Sequence, residues 1–516
     1  MMERNEIKHL HWGHLAFFLV AMVLVPAPSI QAQGQGVADS IQLFRDNCAV
    51  CHGENLEGDA QGPPLLGELQ HGDSMANLVA SIGDGYAATG MPSWADALTI
   101  AQIRNVALYI LETRANVDYV TFNHDQPLVI PDEIIASNLH AFRLVTIAAG
   151  LDPLPFSIAP LPDGRILLTE KKFGVRIINP DGSKSDYITG TPRAWSDINT
   201  VASNGNERGL GWLFDIAIHP NYQENGWVYL YFGDRCSDCN AVSREAGQPV
   251  SMNKLVRGRI EDGAWVDEEV IWEANIEHYS TMIDVIAGGC IDFDDSGHVF
   301  LSVGAKGPDN FEGIQDLDTP WGKIHRINDD GSIPADNPFA GRDDVYRSIY
   351  TYGHRSPQGL FWDRSNGQLW STEHGQRGGD EVNLLLPGQN YGWPLYSLGM
   401  KYDGTPVAQG PELGIVFELA DIQQPVVDLT PSPAVSSLIV SSSDQFPAWR
   451  NDFLKGSLKA RSLFRFRIQN NRLVERETLL EGLARIRDIE QGFDGAIYLL
   501  LEHATGARIV QLVPAG

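Results

Sequence analysis

Cys48, Cys51 and His52 stand in the order Cys-x-x-Cys-His, the spacing by which two thiols attach a c-type haem while the adjacent imidazole takes its iron. Such an iron needs a second axial ligand, often a thioether from a distant loop. Met91, in the turn-rich "TGMPSWADALT", is the expected ligand, and Met75, in the helical pattern of "HGDSMANL", is its competitor. The other cysteines read differently. "CSDC" at Cys236 and Cys239 has no following histidine and no second ligand pair nearby, so a local disulfide is expected rather than zinc. Cys290, in "GGCIDFD", reads as a small buried hydrophobe. A haem of this kind moves electrons, which leaves open where they come from.

The elements that position the haem motif are helical. "VADSIQLFRDNCAVCH" carries apolar residues at helical spacing and ends on the motif, and "TIAQIRNVALYILETR" reads as an amphipathic helix. A small all-α domain is therefore expected over residues 38–115. The stretches "CAVCHG", "GPPL" and "GMPSW" resemble the class I cytochrome c family. That resemblance implies one covalent haem c, bonded to Cys48 and Cys51, with His52 and Met91 on the iron.

A cytochrome would use only about the first hundred of 516 residues, so a second, larger domain must follow. The chain is 43% hydrophobic, enough to build a core, and its net charge of -28 disfavours nucleic acid and anionic membrane surfaces as partners. At the N-terminus Arg4 and Lys8 precede the apolar run "LAFFLVAMVLV" and then "PAPSIQAQ". This predicts a signal peptide over residues 1–32, cleaved after Ala32, and an exported or periplasmic mature chain with no membrane span. Export suits both covalent haem attachment and a disulfide.

After a linker at 116–140, a short unit recurs: a polar turn with glycine at Gly164, Gly226, Gly297, Gly367 and Gly495, each followed by a β-rich run. The gaps are 62, 71, 70 and 128 residues, and the last hides a degenerate copy at "RNDFLKGSLK". Six such sheets predict a multidomain chain in which an all-β six-bladed β-propeller over 141–514 follows the cytochrome, with its ligand in the central channel. Within this span, "TYGHRSPQGLFWD", "WSTEHGQRGGDEVNLLLPGQNYGWP", "QDLDTPWGKIHRINDDGSIPADNPF", "FLKGSLKARSLFRF" and "RIRDIEQGFDGAIYLLL" together resemble the soluble PQQ-dependent glucose/sorbosone and aldose sugar dehydrogenase family. The resemblance implies pyrroloquinoline quinone (PQQ), calcium, and oxidation of a sugar or related alcohol.

PQQ is a planar tricarboxylate, which calls for fixed cations, and the guanidinium fork suits a carboxylate. The positions matching the family's PQQ contacts are Arg355, Lys459, Arg485 and Arg487. Arg485 and Arg487 alternate along one expected strand and so share a face. Calcium takes hard oxygen donors. The resemblance assigns the cofactor calcium to the carbonyls of Gly375 and Gln376, and a structural calcium to the Glu381 carboxylate and the Tyr391 carbonyl. Ser356 and Gln376 stand where the family usually has Asn and Pro.

The proton-transfer pair departs further. In "DVIAGGCIDFD" the family's general-base histidine position is occupied by Ile286 and its arginine by Cys290, while the supporting aspartate is Ala305. The Gln-bearing turn is also altered, to "ERGLGWLFDIAIHP". His278 is a weak candidate replacement base, with Asp284 and Lys306 behind it. Two functions follow. One is an exported quinohaemoprotein dehydrogenase whose own haem collects the electrons and hands them to a downstream cytochrome or oxidase. The other is a catalytically lapsed propeller that binds a ligand or partner, with electron transfer by the haem domain alone.

Overall fold

The computed structural model describes residues 39–281, 287–307, 309–407, 410 and 413–515. The expected signal peptide and the base position Ile286, with Asp284 beside it, lie outside the described residues. Among the described residues, no helix is long and apolar enough to cross a membrane.

Among the described residues, the N-terminal domain has four α-helices: α1 (Ser40–Asn47), α2 (Ala49–His52), α3 (Met75–Asp84) and α4 (Ile100–Arg114). The starts of α1, α3 and α4 are set by side chains that accept otherwise orphaned N–H groups. Asp39 accepts from Ile41 at 2.8 Å, Ser74 from Asn77 at 3.1 Å, and Thr99 and Gln102 form a capping box on α4. The core joins Phe44, Leu78, Ile82, Ile103 and Val106. Sequence periodicity predicts one apolar face on α4, yet Val106 to Glu112 is buried without a break. The reason is a second neighbour. One side of α4 covers the cytochrome core and the other lies on the β-domain, whose Met400 joins the same cluster.

The β-domain is a six-bladed propeller. Its innermost strands are Pro155–Pro160, Leu213–Ile218, Gly288–Phe293, Pro357–Asp363, Val435–Val440 and Arg485–Gln491. The C-terminal strand Ala507–Pro514 pairs antiparallel with Ala141–Leu151, so the two ends of the domain close one sheet and the ring. Each repeated glycine makes the turn from an innermost strand to the next one out. Gly164, Gly226, Gly297, Gly367 and Gly495 all have positive φ, between 66° and 85°. In the fifth blade Asn451 takes that place at φ 65°, which asparagine tolerates better than most residues. The degenerate copy is thus a real turn with its glycine replaced.

The segment expected as a plain linker is partly structured. Ile135–Ala136 already pairs with Ala141–Phe142, and Phe122 and Leu128 are buried in propeller clusters. Cys236 and Cys239 are bonded to each other, and Cys290 is a buried free thiol.

Candidate active site at the domain junction

In the haem motif, Cys48 stands at the N-cap of the single turn of α2, Cys51 lies within that turn, and His52 closes it. Burial first, and the neighbouring Cys51 second, push the Cys48 thiol up to about 11. The Nδ1 of His52 lies 2.9 Å from the Pro63 carbonyl, which can only accept. That contact puts the proton on Nδ1 and leaves the Nε2 lone pair for iron. "GPPL" therefore orients the imidazole, and the donor set fits a covalent haem. Met91 is fixed by a reciprocal backbone bridge with Tyr86. Met91 and Met75 both pack on the helical core, so the described contacts leave both next to it.

A cavity of about 440 Å³ opens where the propeller meets α4. Lys459, Arg485, Arg487, Gly375 and Gln376 line it, joined by Glu112 of the cytochrome helix. Residues far apart in the chain converge here because the inner strands and their connecting loops all end near the channel axis. Arg485 Nε donates to Glu502 Oε1 at 3.0 Å, and Arg487 Nε to Oε2 at 2.8 Å. Both guanidiniums thus share one face of their strand. Burial opposes ionisation of Glu502, but attraction from Arg485, Arg487 and Lys171 outweighs it and holds the carboxyl at about 2. Among the described residues, the lining carries six Lys and Arg side chains against four carboxylates, and that surplus suits an anionic ligand.

Arg355 is 5% exposed. Its Nη1 donates to the Gly375 carbonyl at 2.8 Å and to His374 at 3.2 Å. Its Nε is buried with no hydrogen-bond partner among the described residues, and Arg355 stands behind the Gly375 turn and is not part of the cavity lining. The Gly375 turn is tightly packed by carbonyls. A Cβ there would stand 2.0 Å from the Gly378 oxygen and 2.7 Å from that of Gly379. At the second expected metal position, burial and the adjacent Glu373 raise the Glu381 pKa well above its ordinary value. Asn383 donates to Glu381 at 3.2 Å. Among the described residues no three or more acidic, His or Cys side chains cluster to hold a metal ion, so a hard cation here would depend on backbone carbonyls. Tyr391 is held by its hydroxyl, which donates to the Leu384 carbonyl at 2.6 Å.

A larger cavity, about 650 Å³, lies on another side of Arg487 and is lined by Asp215, Asp292 and Asp488. Burial above all raises these carboxyls, Asp215 to about 7 and the other two to about 6. Each accepts a backbone N–H from the next blade: Ile291 on Asp215, Trp362 on Asp292, and Ile158 on Asp488. These are clasps between inner strands, and their charge repels an anion. The smaller, basic cavity is the better site.

The structure does not bring His278 to that cavity. It ends the short 3-10 turn Ile276–His278 and its ring meets Tyr346 edge-on at 5.6 Å. Lys306 pairs with Glu312 at 2.9 Å. The imidazole that does line the cavity is His374. Its Nε2 lies 2.5 Å from the Val435 carbonyl, which leaves the lone pair on Nδ1. Burial in the first place lowers its pKa to about 4, so the ring is neutral at pH 7. Sequence reasoning missed His374, Lys171, Glu502 and Glu112. Glu502 was the most findable, since it faces Arg485 across the Gly495 hairpin, but a bulge between Ile486 and Asp488 shifts the simple register by one.

Comparison with known proteins identifies both parts of the chain. The family described as Glucose / Sorbosone dehydrogenase matches residues 153–511, and Cytochrome C oxidase, cbb3-type, subunit III matches residues 37–110. An uncharacterised protein of Synechocystis sp. is 30% identical over 79% of this chain and 96% of its own. The aldose sugar dehydrogenase YliI of Escherichia coli is 30% identical over 68% of this chain and 88% of its own. The crystal structure of the soluble aldose sugar dehydrogenase from Escherichia coli in the apo-form superposes with a TM-score of 0.62 at 28% identity, covering 72% of this chain and 100% of that one.

Proposed function

Because this chain belongs to the glucose/sorbosone dehydrogenase family, we propose that it oxidises an aldose or related alcohol in the basic cavity, using PQQ and calcium. The electrons pass to the haem c of its own N-terminal domain. The observation that carries this reading is the meeting of Lys459, Arg485, Arg487 and the Gly375–Gln376 backbone in one cavity walled by the cytochrome helix. PQQ, when bound, supplies a two-electron acceptor for the CH–OH group, and calcium supplies a Lewis acid beside it. Arg485, Arg487 and Lys459 would hold the cofactor's carboxylates, while Arg355 braces the Gly375 carbonyl from behind. The end of α4 covers one side and keeps bulk water from the reacting carbon.

Proton removal needs a base, and the alkyl side chain of Ile286 at the family position cannot accept a proton. The Nδ1 lone pair of His374 is the imidazole group in the cavity lining, and it takes that role. Cys48, Cys51, His52 and Met91 would hold the haem c, which would supply a one-electron carrier toward a downstream cytochrome or oxidase outside the cytoplasm. The expected replacement of the family's histidine by Ile286 favours the second reading, a lapsed propeller that only binds its ligand. Full-length protein loaded with PQQ and calcium, then offered aldoses and simple alcohols, separates the two. Reduction of the haem, read in its visible absorption, supports the dehydrogenase. Bound PQQ with an oxidised haem across the whole substrate panel supports the lapsed propeller.

A further inference from the structure

We propose that Glu112, carried by the cytochrome's last helix, is the built-in counter-ion of Lys459 in the propeller's basic cavity and tunes how tightly that cavity holds an anionic cofactor. The proposal rests on the cavity reading above and extends it by assigning the site a residue from outside the propeller. Glu112 is 1% exposed, although it lies near the end of a helix whose domain could have docked elsewhere. It accepts the Ser432 N–H at 2.6 Å and lies 3.5 Å from the Lys459 ammonium.

The helix end is held firmly there. Arg377 donates to the Thr113 hydroxyl at 3.1 Å and lies over the Tyr109 ring. Gly378, at φ 80°, lets the propeller backbone approach so closely that a Cβ would stand 2.5 Å from Leu108 and 3.5 Å from the Glu112 carboxylate. Burial raises the Glu112 pKa, and Lys459 is the main charge opposing that rise.

The charge pattern gives the consequence its sign. Glu502 answers Arg485 and Arg487, while Glu112 answers Lys459. A ligand carboxylate arriving at Lys459 must share the ammonium with Glu112, bringing two like charges together in a poorly solvated place. Glu112 therefore weakens anion binding. Linkage requires the reciprocal effect: a bound anion loosens the cytochrome's hold on Lys459 by the same factor. The domain that receives electrons thus registers whether the cavity is filled.

The test titrates PQQ, with calcium, into the full-length haem-loaded chain and follows tryptophan fluorescence, a readout independent of turnover. Glu112→Gln keeps the shape and an acceptor for Ser432 but removes the charge. It is expected to bind PQQ about tenfold more tightly, within the usual range of coupling between sites. The difference should vanish in a Lys459→Met background. Equal or weaker binding by Glu112→Gln, with Arg487→Ala still weakening binding, overturns the assignment of Glu112 and leaves the cavity reading in place. Absence of saturable binding in both wild type and Glu112→Gln overturns the cavity reading and this inference together. Glu112→Asp keeps the charge but withdraws it by one methylene and should give intermediate affinity. Should the Gln variant fail to fold, wild-type affinity in the Asp variant overturns the proposal.

Discussion

His374 enters the cavity with Nε2 committed to the Val435 carbonyl, so any proton it takes must arrive at Nδ1. A general base typically contributes about 10²–10⁴ in rate. His374→Gln is therefore expected to slow substrate-driven haem reduction by about 10²-fold or more while PQQ still binds. His278→Ala, out against Tyr346, should leave that rate unchanged, and stopped-flow absorbance at the haem checks both. Glu502 gives a second expectation at this scale. Its folded value near 2 lies below the ordinary 4.5, so its stabilisation is fully present above pH 4.5 and is lost as pH falls toward 2. The size is on the order of 3 kcal/mol. Denaturant unfolding of the wild type between pH 5 and 2 should show this slope, and Glu502→Gln should lose that part of it.

At the scale of elements, α4 is asked to satisfy two domains at once. Its spacing supplies a cytochrome face, and the run from Val106 to Glu112 adds a propeller face. Gly378 is the matching feature on the other side. An alanine there would suffer both the positive φ and the clash with Leu108. Gly378→Ala is expected to cost about 1–2 kcal/mol from backbone strain alone and to loosen the domain junction. A lower Tm together with faster proteolysis between residues 115 and 134 would register both effects. The blade turns illustrate how a local rule survives substitution. Asn451 keeps the left-handed turn without glycine, which is why the repeat looked broken in sequence while the blade is intact.

For the whole molecule, the proposed function implies that fusion of donor and acceptor would make electron transfer internal. The acceptor's effective concentration is then set by the junction and not by the solution. The rate constant of substrate-driven haem reduction is expected to stay the same over a hundredfold range of protein concentration, and stopped-flow dilution measures it. A rate that scales with concentration would place transfer between molecules. The sequence by itself determined what local chemistry and periodicity can encode. The haem motif depends on three neighbouring residues, the blades on a turn repeated with each sheet, and the CSDC disulfide on two thiols three positions apart. The pairing of Arg485 and Arg487 on one face followed from strand alternation. Only the tertiary structure decided that Lys459 meets Glu112, 347 positions away, that three cations gather around Glu502, and that His374 rather than His278 reaches the cavity. Those facts depend on which loops meet at the channel axis and how the cytochrome docks. Ring closure and burial against a second domain fix both, and neither leaves a periodic trace in the chain.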